Sequence, residues 1–197
     1  MKKFILFASF IVLAITSIAQ PKVFGITIDG QSQQWMDSAL STKDFVLDSD
    51  SANMGHLHGY IAGKPVDIWV AATPITHIAY KIVVESYPYN DWAAIKKDWL
   101  FYSAELEATW GNPWHDYEFF RPPFKEGDGH EMTAIEKEYC AFGKFWTDGS
   151  NTYTIAVEIR KYKEVWASFE NTAGANLYDK EEASLQTPTR GTGNKVL

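Results

Sequence analysis

The sequence predicts an α+β fold built from two helix-plus-antiparallel-sheet halves in tandem, with the helices packed on one sheet face. Three observations carry that expectation. Apolar residues recur at helical spacing in two segments, around residues 32–40 and 92–110. Each segment is followed by runs in which apolar and polar residues alternate, the period of a strand. Turn-forming residues separate successive runs, so neighbouring strands pair as hairpins, and helices on one face complete a layer fold.

The elements follow in order. Residues 1–19 read as a signal peptide: Lys2 and Lys3 precede an apolar run from Phe4 to Ile15, and Ser17 and Ala19 supply small residues for cleavage after Ala19. The first half, 20–88, begins with the extended "KVFGITIDG". Trp35, Met36, Ala39 and Leu40 then form a helical stripe that Ser32 can cap. Extended chain resumes at Phe45. In "HLHGYIAGKPVDIWV", Leu57, Gly59 and Ile61 alternate with His56, His58 and Tyr60, a turn follows at 62–65, and Val66, Ile68 and Val70 return as the partner strand. A third strand spans Ile75 to Glu85. The second half, 89–172, opens on a helix marked by Trp92, Ile95, Trp99, Ser103, Leu106 and Trp110. Asn90 or Asp91 caps its start, and Gly111 with Pro113 ends it. Strands follow at 139–147, 153–160 and 165–169, the first two joined by "DGSN". Residues 173–197, rich in Gly, Thr, Asn and charge, read as a mobile tail.

Charge and cysteine content exclude several classes. The net charge of −7 becomes −9 once cleavage removes Lys2 and Lys3 and leaves the 25 acidic residues. Such a chain repels phosphate backbones and anionic lipid surfaces, so neither nucleic acid nor, after cleavage, a membrane is an expected partner. Cys140 is the only cysteine, so packing rather than a disulfide must hold the fold, and Cys140 reads as a buried thiol. The expected location is exported, periplasmic or extracellular.

The segments "ITIDG", "LSTKDF" and "LHGYIAG", with "TWGNP" and "SFENTAGAN" in the second half, are similar to patterns in a group of small exported Bacteroidetes proteins of unknown function. The similarity spans most of residues 23–176, with departures at Ile61, Trp110 and Phe169 and a degraded final motif. The tandem arrangement also resembles the β-lactamase-inhibitor-protein-like architecture, a helix on an antiparallel sheet, twice. The resemblance implies fold and export, and carries no catalytic residue.

Chemistry-bearing residues are sparse. His56 and His58 project to one strand face about 6–7 Å apart, workable for two ligands of one zinc. The further donors, Asp67, His77, His115, Asp116 and His130, are scattered, so a solvated strand face is favoured over metal and no metal site is predicted. "EGDGHE" at 126–131 lacks the ligand spacing of a calcium loop. His115 and Asp116 are neighbours on a strand and point to opposite faces, so they form no dyad. Nothing marks a nucleophilic serine or a cofactor. The aromatic content is 15%, with eight tryptophans. Trp35, Trp92, Trp99 and Trp110 fall on helical stripes and are expected in the core. Trp69, Trp146, Trp166 and Tyr60 are the candidate ligand contacts on the sheet. The expected function is therefore non-catalytic binding of a protein or surface polymer through the sheet face, unless a second copy covers that face. Carbohydrate binding or hydrolysis through the tryptophans is the first alternative, and metal binding through His56 and His58 the second.

Overall fold

The computed structural model describes residues 22–186; the expected signal peptide and residues 187–197 lie outside them. One antiparallel sheet of eight strands dominates, and four helices accompany it. In chain order the elements are β1 (Lys22–Val23), β2 (Ile26–Thr27), α1 (Gln33–Ser41), β3 (Val46–Ser51), β4 (Met54–Ile61), β5 (Lys64–Ala72) and β6 (Ala79–Ser86). Then come α2 (Trp92–Trp110), β7 (His115–Phe120), α3 (Glu131–Glu136), β8 (Cys140–Thr147), β9 (Tyr153–Arg160), β10 (Glu164–Asn171) and α4 (Thr172–Gln186). The strands lie in the order β3-β4-β5-β6-β10-β9-β8-β7, and β1 and β2 form a separate small hairpin. Among the described residues no helix is long and apolar enough to cross a membrane.

The helix ends follow from their caps. The Ser32 side chain accepts a bond from the Trp35 amide, and the Asp91 side chain accepts one from the Ala94 amide. Each satisfies one of the amides that a first turn leaves free. Gly111 closes α2 at φ 75°, a left-handed position that glycine adopts without strain.

Helices α1 and α2 cover the same face of the sheet. Met36 and Leu40 of α1 pack on Leu57, Val66, Ile68, Val70, Ile82 and Val84. Ile95, Trp99 and Leu106 of α2 pack on Phe142, Trp146, Ile155, Val157 and Val165. Ala167 belongs to the first cluster and Val165 to the second, while Phe169 touches both. These three alternate on β10, so one strand carries a continuous apolar layer under both helices. Gly59 has a steric role in this layer: a Cβ there would sit 2.4 Å from the Phe45 ring. The ring fills the space that a side chain would take.

Four expectations are corrected. The α1 stripe is rotated: Met36 and Leu40 are buried as expected, together with Gln33 and Asp37, whereas Trp35 is 49% exposed. The third strand starts at Ala79 rather than Ile75, because 73–78 forms a loop tied by side chains. Trp146 is not a surface residue. It is 1% exposed in the core under α2, and its indole N–H donates to the Gly111 carbonyl at 2.8 Å. Finally, 172–186 is helix rather than mobile tail. The Glu181 carboxylate accepts from the Ile75 and Thr76 amides at 2.7 and 3.1 Å, and from the Thr76 hydroxyl at 2.6 Å. Gly174 lets α4 approach Tyr80, where a Cβ would lie 2.4 Å from that residue's own Cβ.

Candidate functional site

The sheet face turned away from α1 and α2 carries the polar and aromatic residues of the same strands. Antiparallel register aligns them into rows. One row runs His58, Asp67, Glu85, Trp166, Glu158, Gly143, Tyr117 across β4, β5, β6, β10, β9, β8 and β7. The adjacent row runs His56, Trp69, Val83, Ser168, Ala156, Phe145, His115. Trp69 and Trp166, far apart in sequence, therefore flank the junction of β6 with β10.

Both indoles are held in place. Trp69 stacks on His56 with ring centroids 4.1 Å apart and 12° between planes, and its N–H donates to Glu85 Oε2 at 2.5 Å. The Arg160 guanidinium lies 5.1 Å from the Trp166 ring centroid, and Trp166 Nε1 donates to Glu164 Oε2 at 3.4 Å. Each indole is thus anchored at its nitrogen. The two rings line one trough of about 450 Å³, with Val83, Ala71, Met54 and Tyr80 as its apolar lining and Lys81 and Glu85 as its polar one. A second concavity of about 330 Å³ lies beyond Trp166, bordered by Tyr117, Phe145, Glu158 and Arg160. Trp166 lines both.

The floor of this face is acidic. Burial, followed by a hydrogen bond with neighbouring Glu85 and then by the charge of Glu85, raises the Glu164 carboxyl to about 7. Two carboxylates so close hold a proton between them well above the ordinary carboxylate range.

Toward the β3 edge, Asp48, His56, His58 and Asp67 meet. His56 Nε2 lies 3.0 Å from Asp67 Oδ1, and His56 Nδ1 lies 3.7 Å from Asp48 Oδ2. His58 Nδ1 lies 2.7 Å from the same Asp48 oxygen. Asp48 arrives through a bulge: the β3–β4 register shifts between Leu47 and Ser49. A bulge re-aims a side chain, and an apolar-polar count gives no sign of one, so Asp48 is the residue that sequence reasoning missed.

The remaining candidates fall elsewhere. Tyr60 is 72% exposed near the end of β4, outside the trough. His115 faces Trp114 and Tyr117, whereas Asp116 pairs with Lys144 on the α2 side, so the two do not meet. The acids of 126–131 are taken by local donors: Asp128 accepts from the Lys125 and His130 amides, Glu131 from the Gly127 amide, and Glu126 from Lys96. His77 lies in the loop before β6, and its carbonyl accepts from the Gln33 amide. Cys140 is half-buried, and burial pushes its thiol up to about 11, which suppresses the reactive thiolate.

No family model, curated protein or solved structure matches the chain.

Proposed function

We propose that this is an exported, non-catalytic binding protein that holds a neutral polysaccharide along its open sheet face. The observation that carries the reading is that Trp166 is shared by two adjoining concavities, with Trp69 walling the far side of the larger one. Indoles fixed by their own hydrogen bonds offer flat apolar surface at little entropic cost, which suits the faces of sugar rings. Carboxylates and Arg160 beside them supply acceptors and donors for ring hydroxyls. Two adjoining depressions suit a chain of sugar units better than a single small molecule. The acids Asp48, Asp67, Glu85, Glu158 and Glu164 repel a polyanion, so the polymer is neutral.

Export with cleavage after Ala19 and the likeness to exported Bacteroidetes proteins belong to the same proposal. So does the tandem arrangement of two halves. It is supported by the sheet order, in which β6 and β10, each the last strand of a run of four, pair with one another.

Affinity electrophoresis and calorimetry against soluble neutral and polyanionic polysaccharides test the reading. A neutral polymer is expected to retard the protein and a polyanion is not. Trp166→Ala is expected to lower affinity at least tenfold, and Trp69→Ala to lower it less. Retardation by no neutral polymer, or retention of full affinity in the double variant, overturns the proposal. Concentration-dependent sedimentation lost on Trp166→Ala would instead assign the face to a second copy of the chain.

A further inference from the structure

Among the described residues, the ion-pair partners of Asp48 and Asp67 are the two histidines. His56 has a carboxylate near each of its ring nitrogens, Asp67 at Nε2 and Asp48 at Nδ1. A neutral imidazole has a single N–H, so one of these contacts sets a lone pair against an anion. Glu85 stands opposite Asp67 in the sheet and adds further negative charge beside it. A positive charge completes the arrangement, supplied either by a second proton on His56 or by a cation bound among the three side chains.

We propose that Asp48, His56 and Asp67 bind a divalent transition metal of the zinc class, independently of what occupies the trough. One ligand atom from each of the three lies within 4.8 Å of the others. Donors bound at about 2.0–2.2 Å around one ion stand roughly 3–4 Å apart, so binding through one His56 nitrogen requires the carboxylate now beside the other nitrogen to turn toward the ion. An imidazole nitrogen with carboxylate oxygens suits zinc and its neighbours, whereas calcium and magnesium take oxygen ligands almost exclusively. The site is built on strands, and the stacked Trp69 ring fixes the plane of His56. His58 bonds to Asp48 and serves as a positioning residue that orients that carboxylate. Three protein ligands leave a position open to solvent or to a ligand donor. Because His56 stacks on Trp69, a bound ion also fixes one wall of the trough.

The test is calorimetric titration of the tag-free protein with Zn²⁺ alone at pH 7.5, followed by the same titration in a large excess of Ca²⁺ and Mg²⁺. One ion per chain is expected, with affinity unmoved by the competitors. His56→Ala and Asp67→Asn are each expected to weaken binding at least tenfold, and His58→Ala by about tenfold as an outer partner. His115→Ala and His130→Ala leave affinity unchanged. Circular dichroism of each variant separates ligand loss from unfolding. Proton NMR of the imidazoles gives a second readout: Zn²⁺ shifts the His56 ring signals and spares those of His115. Absence of saturable binding overturns the proposal, as does unchanged affinity in folded His56→Ala or equal competition by Ca²⁺. Loss of Zn²⁺ binding with polysaccharide binding intact would sink this inference and leave the trough reading standing.

Discussion

The two faces of the sheet are made by the same strands, yet they obey different rules. On β5, Val66, Ile68 and Val70 lie under α1, while Asp67 and Trp69 point the other way. On β10, Val165 and Ala167 are buried, and Glu164 and Trp166 line the open side. The covered face is organised by volume, with Trp99, Trp146 and ten further large side chains almost wholly excluded from solvent. The open face is organised by charge and by hydrogen bonds that indole N–H groups donate to carboxylates. Apolar burial therefore lies on one side, and half-exposed aromatic and charged groups on the other.

Tryptophan substitutions sharpen that contrast most. Trp99→Ala removes a fully buried ring that packs edge-on against Phe142, and is expected to cost about 3–5 kcal/mol in urea unfolding. Trp166→Ala, on the open face, is expected to cost within about 1 kcal/mol, its effect appearing in ligand affinity instead. Equal losses for the two would break the division between faces.

Next in size is Asp37, the one charged group of α1 set against the sheet. It is buried, neither of its oxygens finds a hydrogen-bond partner, and a Cβ at Gly55 would fall 2.3 Å from one of them. Burial, and then the Asp50 charge, raises its carboxyl to about 6. The folded state therefore binds a proton that the unfolded state has released. The stability tied to that proton is complete below about pH 4 and is lost as pH rises through 6. Asp37→Asn is expected to be about 1–2 kcal/mol more stable than the parent at pH 8 and equal to it at pH 4. Denaturant midpoints at the two pH values check this.

The smallest effect belongs to Glu164 on the open face. Its carboxyl is also raised, to about 7, so its contribution falls as pH climbs from about 4.5 through 7. Glu164→Gln is expected to flatten the upper part of the stability profile and to leave the Asp37 part below pH 6 in place. Thermal midpoints between pH 5 and 8.5 resolve the two windows. A Glu164→Gln profile parallel to the parent's would show that Glu85 and Glu164 share no proton.

Particular residues mark how far the sequence was readable. Helix α2 was legible from end to end, because its apolar stripe, Asp91 cap and Gly111 stop all agree. The hairpin of β4 and β5 was legible from alternation, which also set His56, His58, Asp67 and Trp69 on one face. Trp35 and Trp146 were placed wrongly for related reasons. A stripe two residues wide does not say which edge meets the sheet, and a strand apolar on both faces does not say which one the helix covers. Helix α4 was missed because its Gly, Ala and Asn content reads as loop, whereas contact with Tyr80 and the Glu181 bonds hold it.

By itself, the sequence determined helix α2, the two-faced character of the β4–β5 hairpin and the acidity of the whole chain, since these depend on period and composition alone. Tertiary structure decided which residues meet. The pairing of β6 with β10 sets Glu85 opposite Trp166 and forms the trough, and joins segments about eighty residues apart. The bulge in β3 turns Asp48 toward the two histidines. Neither event leaves a local signature, because register between distant strands is fixed by the packing of the whole layer and not by the residues that end up side by side.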